Sequence, residues 1–179
     1  MRFFAHAIPG LGPVLADEIS MYADIDRTIA SDGRNDVVRF EMRGSPPELA
    51  CAEDVFVETG SVHGDLALGA LATELTAEID RALSVFASTV RPLHAKESYR
   101  VVSRVRDETR FKRTEFRNAI REAVAHRKPK WYIADPAPIE IWATQTDDGW
   151  RSGLRLTQRP RSDREAERAG ALRPSAAAA

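Results

Sequence analysis

Cysteine and long apolar runs are almost missing from this sequence, and each absence excludes a class of protein. Cys51 is the single cysteine, so an internal disulfide and a cysteine-based metal cluster are excluded. No apolar run approaches the roughly 18–20 residues that a membrane-spanning helix needs. Residues 1–20 contain Asp17 and Glu18 and lack a long apolar core, so we expect no signal peptide. These features predict a cytoplasmic chain with no membrane partner.

Recognisable groupings of catalytic or metal-binding side chains are also missing. The four histidines are scattered without ligand spacing, at His6, His63, His94 and His126. Neither paired carboxylates nor a nucleophile–base arrangement stands out. We therefore expect no catalytic residue and no metal ligand in this chain. An enzyme in its own right stays an alternative, which a pocket with converging titratable groups would revive.

The charge of the chain is divided unevenly along its length. Hydrophobic residues make up 43% and charged residues 30%, as in soluble globular proteins. The net charge of −1 hides a first half, residues 1–98, with 8 basic and 16 acidic residues. Residues 99–179 carry 18 basic and 11 acidic residues, a net charge of +7. Such an asymmetry indicates a polyanionic partner for the basic half, unless that half docks on the acidic one.

Periodicity in the first 60 residues predicts a ferredoxin-like order of elements. The apolar residues Leu15 and Ile19 belong to one side of a helix that follows Pro9 and Gly10. Strands are predicted at 3–8, 26–30, 37–42 and 55–59, with a short helix opened by Ser45 and running through Asp54. The order strand-helix-strand-strand-helix-strand is that of a ferredoxin-like unit of about 60 residues.

Residues 66–157 are predicted to form a second, α/β unit. A long helix over 66–88 carries a regular apolar stripe formed by Leu68, Leu71, Leu75, Ile79, Leu83 and Phe86. A strand and a helix follow within 99–130, then an extended piece at 131–133 and a hairpin whose turn is at 147–149. Residues 158–179 read as a polar linker. The sequence thus predicts an α+β fold with domains at 1–60 and 66–157.

The stretch 99–130 carries the strongest indication of a binding site. A strand that exposes arginines leads through a basic loop into a helix, for which Thr114 is the predicted N-cap. Arg113, Arg117 and Arg121 recur every four residues, and no acidic residue lies three or four positions from any of them. A basic loop and a helix N-terminus together suit phosphate. An ordinary solvated helix face is the alternative.

Several stretches resemble the THUMP-domain family of RNA-modifying enzymes, in particular the N-terminal half of its RNA methyltransferases. FFAHAIPGLGPVLADEI is similar to the opening of that group, and AEDVFVETG to the end of its ferredoxin-like subdomain. YRVVSRVRDETRFKRTEFRNAI is similar to the strand, basic loop and helix of the THUMP core. GLRLTQRPRSDR and ALRPSAAAA resemble the passage into the methyltransferase domain. The serial order of these partial matches covers nearly the whole chain.

The resemblance implies an N-terminal ferredoxin-like lobe and a THUMP domain that bind RNA, with tRNA favoured over rRNA. In the family these parts place a nucleotide at a separate catalytic domain that uses S-adenosylmethionine. No Gly-rich cofactor loop occurs here, and Asp135-Pro136-Ala137-Pro138 reads as a turn. We therefore expect no cofactor in this chain, with the methyltransferase domain supplied in cis or in trans. A large-subunit rRNA enzyme and a non-catalytic protein-interaction module are the alternatives.

The predicted RNA surface is centred on the basic loop and the helix that follows it. Phosphate contacts are expected from basic residues in its centre: Arg110, Lys112, Arg113, Arg117 and Arg121. Flanking contacts are expected from Arg104, Lys128 and Lys130. Phe111 either stacks on an unpaired base or packs next to the helix start.

Overall fold

Eight strands and four helices form the described part of this molecule. A computed structural model describes residues 1–106 and 110–157 of the chain. The strands are β1 (Arg2–Ala7), β2 (Asp24–Ser31), β3 (Asp36–Glu41), β4 (Asp54–Val62), β5 (Ser98–Arg104), β6 (Tyr132–Ile133), β7 (Ile139–Thr146) and β8 (Gly149–Arg155). The helices are α1 (Gly12–Ser20), α2 (Leu68–Leu75), α3 (Ile79–Thr89) and α4 (Arg113–Arg127). This is a mixed α/β architecture with a mostly sheet core, compatible with the predicted α+β class.

All eight strands belong to one sheet, in the order β2-β3-β1-β4-β8-β7-β5-β6. Neighbouring strands are antiparallel, except that β5 is parallel to both β7 and β6. Phe4 of β1 lies opposite Phe56 of β4, and Val57 of β4 lies opposite Leu154 of β8. The hairpin predicted at 147–149 joins β7 to β8, with Thr146 opposite Gly149.

The main hydrophobic core lies between the sheet and the four helices. The helix α1 packs on β1, β2 and β3, while α2 and α3 pack on β4 and β8. The helix α4 packs on β5 and against α2, through the buried residues Phe116, Ile120 and Val124. Five of the six stripe residues predicted for 66–88 are buried, and Leu68 is partly buried. The periodicity of the sequence therefore identified the helical core faces.

A smaller apolar cluster lies on the opposite face of the sheet. It contains Phe4, Ala30, Val37 and Phe56, with Trp142 packed against it. The Phe4 and Phe56 rings stack with centroids 4.7 Å apart, and the Trp142 centroid lies 5.5 Å from that of Phe56. Both sides of the central strands are therefore buried, which is why β4 has eight buried residues among its nine.

The region 66–88 forms two helices, so the prediction of one continuous helix was wrong. The helix α2 ends at Leu75, and α3 begins at Ile79. Between them, the Glu78 N–H donates a hydrogen bond to the Thr59 carbonyl of β4, at 2.9 Å. The Thr59 hydroxyl donates to the Leu75 carbonyl at 2.8 Å. The break is thus held by contacts with a strand that an apolar stripe alone does not reveal.

The short helix predicted from Ser45 through Asp54 does not form. The backbone N–H groups of Ala50 and Cys51 donate instead to the Glu18 carboxylate of α1, in the second case at 2.9 Å. Residues 43–53 contain no helix, and β4 begins at Asp54. The ferredoxin-like order predicted for residues 1–60 therefore lacks its second helix in the structure.

The two predicted domains, 1–60 and 66–157, share the single sheet. The strand β4 pairs with β1 on one side and with β8 on the other, so hydrogen bonds run continuously from one range to the other. They are therefore not separate sheets, although their assignment as two domains stays a prediction. The predicted linker, 158–179, lies outside the described residues. No helix in the described part of the chain is long and apolar enough to cross a membrane.

Candidate nucleic-acid interface

The helix α4 begins two residues earlier than its sequence indicates. Lys112 is the N-cap and Arg113 the first helical residue, so the prediction of Thr114 as N-cap was wrong. The Glu115 carboxylate accepts a hydrogen bond of 2.8 Å from the Lys112 backbone N–H. This contact satisfies one donor at the helix start and places a negative charge in the first turn, where the helix dipole favours it.

Arg113, Arg117 and Arg121 form a row along α4, called the α4 row below. Arg113 is exposed, and Arg117 and Arg121 are partly buried. Among the described residues, no carboxylate lies within 4.0 Å of any of the three. The Nε atoms of Arg117 and Arg121 are shielded from solvent and have no hydrogen-bond partner in that part of the chain. Within residues 1–106 and 110–157, therefore, no carboxylate compensates the positive charge of the α4 row.

Three other predicted phosphate contacts are bound to carboxylates of the acidic half. Arg104 pairs with the buried Asp32 at 2.6 Å, and its guanidinium lies 4.6 Å from the Trp142 ring centroid. Arg110 pairs with Asp65. Lys128 pairs with Asp80. Carboxylates of the acidic half thus neutralise part of the basic charge within the molecule. This agrees with the alternative that the basic half docks on the acidic half.

Phe111 lies in the core next to the start of α4. Only 9% of its surface is exposed, and its ring centroid lies 5.2 Å from that of Trp150 and 5.9 Å from that of Phe116. In this position the ring has little surface to offer to an unpaired base. The geometry fits the packing alternative better than the stacking one.

Among the basic residues of the predicted site, five lie in two groups at opposite ends of α4. Arg110, Lys112 and Arg113 lie at its start, and Lys128 and Lys130 follow its end. A 15-residue helix separates these ends by about 22 Å. Both Lys112 and Lys130 are exposed, with no described ion pair. The α4 row begins at the first group and extends towards the second.

A cavity at the C-terminal end of α4 was missed by the sequence analysis. It has a volume of about 600 Å³ and is lined by residues of α3, of the loop 91–97 and of the turn after α4. Of its lining residues, only Lys128 and Lys130 belong to the predicted site, and Arg127 and Trp131 were not predicted. The clustering of cations next to a tryptophan in HRKPKW is the signal that would have indicated it.

Burial alters the acid–base behaviour of one group beneath α4. The Tyr99 hydroxyl donates to the Arg121 carbonyl at 3.2 Å, and burial raises the pKa of this phenol. It therefore stays protonated and serves as a fixed donor to the helix. Within the described ranges, no cluster of three or more His, Cys, Asp or Glu side chains is arranged to hold a metal ion.

Comparison with known proteins finds similarity in three dimensions only. No family model matches the sequence, and no curated protein does. TrmN from Thermus thermophilus superposes with a TM-score of 0.63 at 21% identity, over 91% of this chain and 47% of that chain. A predicted N6-adenine-specific DNA methylase from Listeria monocytogenes superposes with a TM-score of 0.64 at 11% identity, over 98% of this chain and 46% of that chain. SMU.472, a putative methyltransferase complexed with SAH, superposes with a TM-score of 0.60 at 13% identity, over 99% of this chain and 47% of that chain.

These similarities relate the fold to that of methyltransferase structures. The chain spans about half the length of each of these three proteins. At identities of 21% and below, the likeness concerns the fold alone.

Proposed function

We propose that this chain is an RNA-binding module that positions RNA for a methyltransferase domain supplied in cis or in trans. The resemblance to THUMP-domain enzymes and the fold likeness to methyltransferases support this function. The same resemblance favours tRNA over rRNA as the partner. The rRNA-binding part of a large-subunit rRNA methyltransferase is the nearest alternative, and a protein-interaction module is the alternative from another class.

The α4 row, which pairs with no carboxylate among the described residues, is the observation that carries this proposal. Arg117 and Arg121 are only partly buried and make no ion pair in that part of the chain, so their guanidinium groups are available to an anion. Phosphate oxygens accept charge-assisted hydrogen bonds from guanidinium groups, often two at a time. Contacts of this kind hold a nucleic acid in register without reading its bases. RNA stems suit such a surface, because their deep major groove hides the base edges.

The strand arrangement supports the ferredoxin-like and THUMP assignments in this proposal. The strands β2, β3, β1 and β4 are adjacent and antiparallel, and α1 connects β1 to β2 across β3. This is the split βαβ arrangement of ferredoxin-like units, although the second helix is missing. We assign the THUMP domain to the part from α2 to β8, which contains the α4 row.

We propose no site for S-adenosylmethionine in the described part of the chain. Cofactor loops of Rossmann type are Gly-rich and follow a parallel strand that leads into a helix. Here β5 is the parallel strand that leads into a helix, and the connection between them, VRDETRFK, contains no glycine. We therefore assign no cofactor to this part of the chain and derive no methyl-transfer step through it.

RNA affinity as a function of salt tests the proposal. If about four basic groups contact phosphates, log affinity should fall against log salt with a slope of roughly −3. Replacing Arg117 and Arg121 by Gln keeps helix propensity and removes two charges. We expect the double variant to bind all RNA sequences more weakly and to flatten the slope by about 1–2 units.

A matched control removes the same charge elsewhere. Arg34 and Arg43 are exposed and lie outside α4, so the variant R34Q/R43Q changes the net charge equally. It should bind RNA nearly as the parent does. Equal losses in both double variants would indicate unspecific attraction to a polyanion. Unchanged RNA binding in R117Q/R121Q, together with lower thermal stability, would assign the α4 row to the fold and contradict the proposed site.

A further inference from the structure

The cavity at the C-terminal end of α4 is a preformed pocket with one aromatic wall. Its volume of about 600 Å³ is within the range of about 300–1,000 Å³ that small-molecule sites occupy. Leu83 and Ala87 of α3 and Leu93 of the following loop supply an apolar floor. The partly buried Trp131 also lines the cavity, and its ring centroid lies 6.1 Å from that of Tyr99.

Buried hydrogen bonds fix the loop that forms one wall of this pocket. Glu97, which is 5% exposed, accepts two hydrogen bonds from Arg91, at 3.0 and 2.8 Å, and one of 2.7 Å from the His94 backbone. The hydrogen bonds from Arg91 lower the pKa of Glu97, which therefore stays ionised. The Glu97 carbonyl accepts a bond of 3.1 Å from the Tyr132 N–H, which ties this wall to the turn carrying Trp131. The pocket needs little rearrangement to receive a ligand.

The charges around the pocket select an anion. Arg127, Lys128 and Lys130 line it, against the single carboxylate of Asp80, which pairs with Lys128. Among the described residues, Arg127 and Lys130 make no ion pair. Cations also suit a helix C-terminus, so charge alone would not indicate a ligand. A ligand site is indicated because Arg127 and Lys130, without described ion pairs, line the same open cavity as the aromatic ring of Trp131.

We propose that this pocket holds one unpaired nucleotide of the bound RNA, with its base stacked on Trp131 and its phosphate between Arg127 and Lys130. The inference rests on the proposed function, and it specifies that part of the bound RNA is single-stranded. A nucleotide offers a π-face and an anionic group within one unit, and both are complementary to the lining. Stacking on an aromatic side chain tolerates any base, so the pocket recognises the unpaired state of the RNA and not its sequence.

The test compares a short single-stranded RNA with a blunt RNA duplex, using the whole chain. Stacking on an aromatic residue is worth about 1–3 kcal/mol per base, equivalent to about five- to 150-fold in affinity. W131L should therefore weaken single-strand binding by that factor and leave duplex binding unchanged. W131F keeps a stacking ring and should retain most of the affinity, which separates stacking from damage to the fold.

Intrinsic fluorescence supplies an independent measurement with AMP as the probe. AMP should quench the fluorescence of the parent chain and should not quench that of W131F, because Trp150 is buried and Trp142 lies under Arg104. The replacement R127Q/K130Q should weaken AMP binding and leave adenosine binding unchanged. Quenching that persists in W131F would overturn the proposal.

The outcomes for the pocket and for the α4 row are distinguishable. If R117Q/R121Q weakens duplex binding while W131L changes neither RNA, the pocket proposal fails and the proposed function stands. If W131L weakens the single strand and the duplex equally, the pocket proposal also fails. If the parent binds neither RNA nor AMP but binds a peptide rich in glutamate and tyrosine through Trp131, the pocket takes a protein, and both proposals are overturned.

Discussion

At the scale of single residues, His6 is an ionisable group enclosed by aromatic rings. It is 1% exposed on the sheet face that carries the smaller apolar cluster, with its ring centroid 4.7 Å from that of Phe56 and 5.9 Å from that of Trp142. Burial lowers the pKa of His6 to about 3; the charge of Asp32 opposes this shift, and nearby arginines add to it. The imidazole is therefore neutral in the folded protein at neutral pH, whereas in the unfolded chain it titrates near 6.5.

This difference makes the stability of the fold depend on pH. Between pH 6.5 and about 3 the unfolded chain binds a proton on His6 that the native state does not bind. The free energy of unfolding should therefore fall as the pH falls, by up to about 1.4 kcal/mol per pH unit from this residue. In His6→Phe this contribution disappears. Urea unfolding at pH 7.0 and pH 5.5 should show the parent losing about 1.4 kcal/mol more than the variant.

The exposed His126 provides the control for that measurement. Its side chain is exposed in the folded state, and the variant His126→Gln tests whether the pH dependence belongs to His6 or to histidines in general. Equal pH dependence in the parent and in His6→Phe would mean that His6 is protonated within the fold, contrary to the expected effect of its burial.

At the scale of elements, the break between α2 and α3 depends on one glycine of β4. A Cβ added to Gly60 would lie 2.7 Å from the Leu75 Cα and closer still to the Glu74 carbonyl oxygen. Real Cβ atoms do not approach backbone so closely, and the helix end could move only by losing its contacts with Thr59. Glycine at this position therefore allows α2 to end directly on the strand.

The replacement Gly60→Ala should destabilise the fold strongly. Overpacking costs about 1–3 kcal/mol, and we expect a value in the upper part of this range because the clash is with backbone. Gly69→Ala is the matched control, since a Cβ there meets nothing within 4 Å and alanine favours the helix. Urea midpoints should fall for the first variant and stay or rise slightly for the second. Similar midpoints would show that α2 shifts freely along β4.

The sequence predicts well those elements whose formation depends on residues within the same segment. The alternation in β5 and β7 and the four-residue spacing in α4 follow from strand and helix geometry alone. The helix break at residues 76–78 depends on Thr59 and Gly60, which are distant in the sequence. The missing helix near Ala50 depends likewise on Glu18. The pattern of apolar residues within either segment does not indicate a contact with a residue so distant in the sequence.

The same reasoning separates the predictable part of the candidate site from the rest. The α4 row is visible in the sequence, because its spacing and its lack of nearby acidic residues are local properties. The pairing of Arg104 with Asp32 spans 72 residues and requires the folded sheet. The pocket beside Trp131 combines α3, the loop 91–97 and the end of α4, so no single stretch of sequence outlines it.

At the scale of the whole molecule, the two halves of the chain are joined within the sheet and also outside its strand pairing. The strands β4 and β8 pair within the sheet. In addition, the Ser31 N–H donates to the Asp147 carboxylate at 2.9 Å, and the Asp147 N–H donates to the Ser31 carbonyl at 3.0 Å. Four strands separate β2 from β7 in the sheet order, so this contact requires a strongly curved sheet. The acidic and basic halves also exchange ion pairs, including the buried pair of Arg155 with Asp54.

This arrangement predicts that the described part of the chain unfolds as one cooperative unit, in spite of the two domains that the sequence indicates. Ile19 in α1 and Ile141 in β7 are 1% and 0% exposed, and replacing either by Val should cost about 0.5–1.5 kcal/mol. The three tryptophans lie at positions 131, 142 and 150, so their fluorescence reports on the second half. In a cooperative molecule, Ile19→Val lowers the urea midpoint seen by tryptophan fluorescence as much as the midpoint seen by far-UV circular dichroism. Ile141→Val should lower both midpoints in the same way. If Ile19→Val leaves the fluorescence transition of the parent unchanged, the halves unfold independently, and the shared sheet does not couple them.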